Sequence, residues 1–195
     1  MPQPVLRTDR LVLEPLADEH LDLEIDLDSD AEVLRYLSLR AHTPEETKVR
    51  HAQRMERGRE VDGLGMWMGF LDVDRPRDAA TFVGLYMLTP PHGPSQPQVP
   101  GLADLGYRIR RDRWRQGFAS EGARALLHHA FGTVGLDRVI AQTMAVNEGS
   151  RATMASVGLT FVRSFHEHYD DPVAGTEQGE VEYEITREAW LASRH

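Results

Sequence analysis

Cysteine is absent from this 195-residue chain, lysine occurs once (Lys48), aromatic residues make up only 7%, and no long apolar run is present. Without thiols, a disulfide framework, a thiolate nucleophile and a cysteine-ligated zinc site are excluded. The longest apolar stretch, Leu64 to Leu71, falls far short of the roughly 20 residues that a membrane-spanning helix needs. The first ten residues reach charged side chains before any apolar segment, so they do not read as a signal peptide. A cytoplasmic location without membrane attachment is the expectation. Positive charge is also in deficit: the formal net charge is −9, which argues against a nucleic-acid partner. The length suits one domain over residues 1–195, with a core large enough to need no staple.

The charge that is present lies unevenly. Arg108, Arg110, Arg111, Arg113 and Arg115 fall close together with only Asp112 among them. Farther on, Glu167, Asp170, Asp171, Glu177, Glu180, Glu182 and Glu184 occupy a stretch with no lysine or arginine. The first segment suits a polyanion and the second a cation, unless both are simply solvated faces.

Strand-like and helix-like segments alternate without a repeat. Arg10 to Leu16 reads as a first strand stopped by Pro15. Asp18 to Asp28 is ambiguous: Leu21, Leu23, Ile25 and Leu27 alternate as in a strand, while the flanking aspartates suit helix caps. Ser29 and Asp30 lead into a short helix over Ala31–Leu37. Thr43, Pro44 and Glu46 make a capping box with proline at the first helical position, opening a helix to about Gly58. Val49, Ala52 and Met55 are its only apolar stripe, so a mostly exposed helix is predicted. Leu64–Val73 and Thr81–Leu88 read as an antiparallel pair buried on both faces. Pro90–Pro100 has five prolines in eleven residues and reads as a stiff surface loop. Leu102–Ile109 is a further strand. Ser120–Val134 carries the strongest helical signal: Ala123, Leu126, Leu127, Ala130, Phe131 and Val134 share one face, and Gly135 stops it. Arg138–Val146 reads as a strand, Ser150–Val157 as a short helix closed by Gly158, and Leu159–Tyr169 and Glu180–Thr186 as strands. In the last, Val181, Tyr183 and Ile185 alternate with Glu180, Glu182 and Glu184, which are expected to form a solvated face. The order predicts an α/β (α+β) fold, a mixed sheet flanked by helices.

The segment from Tyr107 to Glu121 runs from a strand into the strongest helix. Small residues at Gly117 and Ala119 let backbone N–H groups approach an anion, and the helix start supplies orphan donors and a positive dipole end. Arginines on the near side add charge. These features read as a phosphate cradle, yet neither a Gly-Lys-Ser/Thr sequence nor a dinucleotide Gly-x-Gly-x-x-Gly is present.

Trp114–Glu121, followed by Asn147-Glu148-Gly149-Ser150 and Met154–Leu159, resembles the GNAT acetyltransferase superfamily, and within it the ribosomal-protein N-terminal acetyltransferase group. Leu6–Leu11 and Tyr183–Arg187 resemble that group's two ends, so the likeness spans nearly the whole chain. It implies a mostly antiparallel sheet of about seven strands, helices on both faces, and a V-shaped opening between Leu102–Ile109 and Arg138–Val146. It implies acetyl-CoA as donor and an amine as acceptor. That amine is either a protein N-terminus, as in the nearest group, or a small cationic amine such as an antibiotic or polyamine, toward which the acidic stretch tilts the reading; no metal is expected, because no ligand spacing for one is present. By position, the main chain of Tyr107 and Ile109, with Arg108 between them, would hold the pantetheine arm. N–H groups of Arg115, Gln116, Gly117, Phe118, Ala119 and Ser120 would hold the pyrophosphate. Asn147 would contact the cofactor arm, and Ser150 would donate to the leaving thiolate. Three positions depart from the family pattern. Arg115 stands where a second glycine is usual, so the turn is expected to close without a left-handed residue there. Met154 replaces a Tyr acid, and Gln142 replaces a Glu base.

The general base is therefore open among Asp104, Glu167 and one of His166 and His168. His166 and His168 have no third ligand at a metal-binding spacing. Glu121 is expected to favour the helix dipole, and Trp67 and Trp114 to pack in the core or cradle. With no cysteine, and no base partner evident for Ser150, transfer is expected to be direct. The alternative is a catalytically inactive acyl-CoA sensor, motivated by Met154 and Gln142. A homodimer remains open.

Overall fold

The computed structural model describes residues 2–193. Its strands are β1 (Leu6–Arg7), β2 (Leu11–Pro15), β3 (Gly65–Leu71), β4 (Phe82–Thr89), β5 (Leu102–Ile109), β6 (Arg138–Met144), β7 (Thr160–Phe165) and β8 (Glu180–Thr186). They form one sheet in the order β1-β2-β3-β4-β5-β6-β8-β7. The count is eight rather than about seven because Leu6 and Arg7 pair with Leu13 and Val12. The strands expected to reach Val146 and Tyr169 stop at Met144 and Phe165. Helices are α1 (Leu21–Asp28), α2 (Ala31–Leu34), α3 (Pro44–Arg57), α4 (Phe118–His129), α5 (Glu148–Ser156) and α6 (Arg187–Ala192).

The sheet splits at its middle. β5 and β6 run parallel, but their ladder joins only Leu102 to Arg138, Ala103 to Val139 and Asp104 to Ile140. β5 stays in register with β4 as far as Ile109 opposite Gly84, while β6 stays with β8 from Arg138 to Met144. Each strand follows its outer partner, so the sheet twist carries the two apart beyond Asp104. That divergence is the V-shaped opening.

The two faces of the sheet are covered differently. On one, Leu105, Val139, Tyr183 and neighbours pack against Ala123, Leu126 and Leu127 of α4 and Phe131 just beyond it, the helical stripe read from the sequence. The helix starts two residues earlier than expected, at Phe118. It ends in a π turn over Ala130–Val134, closed by Gly135 at φ 80°. On the other face a smaller apolar cluster (Leu27, Met66, Met68, Phe70, Phe82, Leu85) lies under α1.

Between α1 and α3 the seam is polar, which corrects two readings. Asp18–Asp28 is a 3-10 turn followed by α1, with His20, Glu24, Leu27 and Asp28 buried. Those positions follow the helical period, but two of them are acids, so an apolar count reports the alternating leucines instead. In α3 the capping box forms as predicted, Thr43 Oγ accepting from Glu46 N–H and Glu46 from Thr43 N–H. Its buried face, however, is Thr47, His51 and Arg54, while Val49 is 60% exposed. Arg54 and His51 pair with Glu24, and Arg54 also reaches Asp28 at 3.1 Å. Removing one member would strand a buried charge, at a cost of about 3–5 kcal/mol.

The acidic face of β8 is also corrected: Glu180 and Glu182 are buried, each only 7% exposed. Arg163 explains the second, donating both to Glu182 (2.9 Å) and to the Ser95 carbonyl of the Pro-rich segment (3.1 Å). That segment folds back over the sheet, burying Gln96.

Candidate active site

The cradle is built by backbone conformation. After β5, a 3-10 turn over Arg111–Arg113 and an extended Trp114 lead to Arg115 at φ 58° and Gly117 at φ 82°. Arg115 is the one non-glycine residue with positive φ among those described. The turn therefore does use a left-handed residue here, contrary to expectation, at a steric cost of about 1–2 kcal/mol. In return, none of the N–H groups from Arg115 to Ser120 has an acceptor within the described protein; the first helical bond is Glu121 N–H to Gly117 C=O. Six consecutive free donors at a helix start are chemically suited to an oxyanion.

Long-range contacts brace this surface. Arg10 donates to Glu121 (2.7 Å) and to the Gln116 carbonyl (3.0 Å), and its guanidinium lies over the Phe118 ring. Thr8 Oγ donates to Glu121 at 2.6 Å. Glu121 thus ties the β1–β2 turn to α4, more than a dipole effect. Beneath, the fully buried Tyr86 donates its hydroxyl to the Phe118 carbonyl at 2.9 Å. Its ring occupies space that a Cβ on Gly69 or Gly122 would fill, at 2.5 and 2.1 Å. Trp114 Nε1 donates to the Ile109 carbonyl, so it packs on the cradle, while Trp67 lies in the core. Arg110 and Arg113 are turned back onto the Ala79 and Ala80 carbonyls.

From the cradle a cleft of about 1050 Å³ runs along the open edge of β5. On the α4–α5 side, the Tyr107 hydroxyl stands 3.2 Å from Ser150 Oγ and 3.1 Å from its carbonyl. Burial raises the Tyr107 pKa, with hydrogen bonds to Ser150 and Thr153 opposing. Asn147 caps α5, accepting from Ser150 N–H and donating to Thr143 Oγ; its side chain is used within the protein. Met154 is buried in the core, so the phenol at the first turn of α5 comes from Tyr107. Sequence reading assigned Tyr107 through its main chain only.

Asp104, Gly106 and Arg108 alternate to the opposite face of β5, toward α1 and α3. Asp104 sits at the last rung before the strands part. Burial pushes its carboxyl up to about 7, the Glu182 charge pushes the same way, and a Gln96 hydrogen bond and the Arg57 guanidinium pull back. Arg108 pairs with Asp28 of α1, turned away from the cradle. Gln142 donates to Glu182 at 2.7 Å.

Glu167 does not line the cleft. It lies near Tyr169 and Glu180, adding to the upward shift that burial gives both. His168 is 94% exposed beside Asp170, and His166 is exposed. Of the proposed bases, only Asp104 meets the opening.

The site thus combines a split sheet with a donor-lined turn at one end of its cleft. The family model described as acetyltransferase (GNAT) domain matches residues 10–160, and the chain belongs to this family of N-acetyltransferases. A relative from Aspergillus fumigatus, FsC-acetyl coenzyme A-N(2)-transacetylase, is 40% identical over 97% of this chain and 79% of its own length. Among solved structures, the ribosomal L7/L12 alpha-N-protein acetyltransferase RimL in complex with coenzyme A superposes with a TM-score of 0.75. It is 16% identical over 95% of this chain and 99% of that one. Spermidine N-acetyltransferase from Vibrio cholerae, in complex with CoA and spermine, gives 0.70 at 14% identity over 94% and 99%. These two likenesses concern the fold.

Proposed function

We propose that this enzyme transfers an acetyl group from acetyl-CoA directly to a primary amine, with Asp104 as proton acceptor. The observation that carries the reading is the pairing of six free N–H donors at the cradle with a buried carboxyl at the point where the sheet opens. The residues suit the donor: Arg115–Ser120 for its diphosphate, and the unpaired edge of Leu105–Ile109 for strand-like contacts to its amide arm. Acetyl-CoA supplies a thioester whose carbonyl carbon is open to a nucleophile. Tyr107 and Ser150 present hydroxyls on the α5 side, where a leaving sulfur would take a hydrogen bond or a proton.

Asp104 faces the other side, from which the amine would come. A carboxyl with a pKa of about 7 is matched to an α-amine at about 7.7–8.0 far better than to a lysine-like amine at about 10.4. The match favours a peptide N-terminus or a small-molecule α-amine, and the N(2) in the fungal relative's name agrees with an amine acceptor. With the amine held against the carbonyl, positioning supplies much of the rate. The continuous sheet from β1 to β8 supports one domain over residues 1–195.

The test is an assay with acetyl-CoA and a panel of dipeptides, polyamines and aminoglycosides, following free thiol. Steady release with at least one amine is expected. Tight acetyl-CoA binding with no release across the panel would favour the inactive sensor instead.

A further inference from the structure

The chain is acidic overall, yet the cleft facing α3 is basic. Arg50, Gln53, Arg54 and Arg57 line it at spacings of three, four and seven, one stripe of one helix face. The cations of this region are not equivalent. Arg54 and Arg108 are engaged by Glu24 and Asp28, and Arg35 lies 3.6 Å from Glu32. The guanidinium groups of Arg50 and Arg57 make no ion pair or hydrogen bond among the described residues. Arg50 is exposed and Arg57 half-buried. Their charge is felt nearby: after burial, Arg50 is the next influence holding His42 below its usual pKa, and Arg57 does the same for His92. Two unpaired guanidinium groups beside two neutral imidazoles repel a polycation and suit planar, bidentate pairing with an oxyanion.

Resting on the acetyltransferase reading, we infer that the acceptor carries an oxyanion, a carboxylate or phosphate, besides its amine, and that Arg50 and Arg57 bind it. Arg57 acts on Asp104 directly, so the bound oxyanion lies on the same side as the proton acceptor. The substrate is then an amine of balanced or negative charge. The small cationic amine suggested by the acidic C-terminal stretch fits poorly, because Glu180 and Glu182 are buried, the first bonded by Tyr169 and the second by Gln142 and Arg163, rather than offered to a ligand.

The experiment measures acetyl transfer to ω-amino carboxylates of graded length, aminoalkylphosphonates, the matching carboxamides, tripeptides with Glu or Gln at the second position, and spermidine. The wild-type protein is expected to favour an oxyanion-bearing acceptor over its neutral twin by about tenfold in kcat/KM. The exposed Arg50→Gln variant should shrink that preference to about threefold or less through KM, with the KM for acetyl-CoA unchanged, and Arg50→Lys should restore part of it. Equal rates for acid and amide, a preference for spermidine, or an Arg50→Gln effect confined to acetyl-CoA would overturn the inference and leave the acetyltransferase reading standing. Absence of transfer to every acceptor would overturn both.

Discussion

The two ends of the cleft present charged and polar groups by different means. At the α4 end, donors come from the main chain: six N–H groups are freed by Arg115 and Gly117 and held by a short turn. At the α3 end the groups presented are side chains, with Asp104 and the arginine stripe drawn from elements some 50 residues apart in sequence. A main-chain site depends on backbone shape and tolerates side-chain change. A side-chain site depends on identity and burial, and that difference suits a constant donor and a variable acceptor.

The comparison can be broken most severely at Asp104. Asp104→Asn should lower kcat/KM by about 10²–10⁴-fold while leaving acetyl-CoA binding near wild type by calorimetry. In the parent protein kcat/KM should rise with pH through about 7, and the variant should lose that limb. Stability supplies an independent check on the sign. Between the ordinary carboxylate pKa and about 7 the folded state holds a proton that the unfolded chain has released, so unfolding free energy falls as pH rises. The variant should show a smaller drop in Tm from pH 5 to pH 8.

At the other end the large effect should follow backbone displacement. Gly122→Ala puts a Cβ 2.1 Å from the Tyr86 ring. Overpacking of this kind costs about 1–3 kcal/mol, and the shift of α4 should raise KM for acetyl-CoA more than for the amine. Tyr86→Phe removes only the hydroxyl bonded to Phe118 and should cost about 1 kcal/mol, read as a small fall in Tm.

The smallest effect sharpens the contrast. Arg115→Gly relieves a left-handed arginine and should change stability by about 1 kcal/mol or less in the favourable direction, with KM for acetyl-CoA within about threefold. Gly117→Ala, at φ 82°, should instead destabilise and weaken binding. If a side chain mattered more than shape here, Arg115→Gly would lose binding and Gly117→Ala would not.

The same contrast explains what could be read from sequence. The cradle was legible because its determinants are contiguous: strand, turn, glycine, amphipathic helix. Arg115 was misread because a side chain's aversion to positive φ is a cost that a braced turn can bear. The α1–α3 seam was not legible at all. Its buried faces are Glu24, Asp28, His51 and Arg54, and such residues look like solvent-facing ones until their partners, 26 to 30 residues away, are known. Asp104 was legible as a candidate, but its burial depends on Gln96 and Glu182 arriving from other elements. Tyr86 and Gly122 gave no local signal because their fit is purely spatial.

The clamp of Thr8 and Arg10 on Glu121 spans more than a hundred residues of chain. The donor-lined turn is therefore braced by a segment that lies far earlier in the chain. Ligand capture during refolding should lag behind the recovery of helical circular dichroism, making it a late reporter of native assembly.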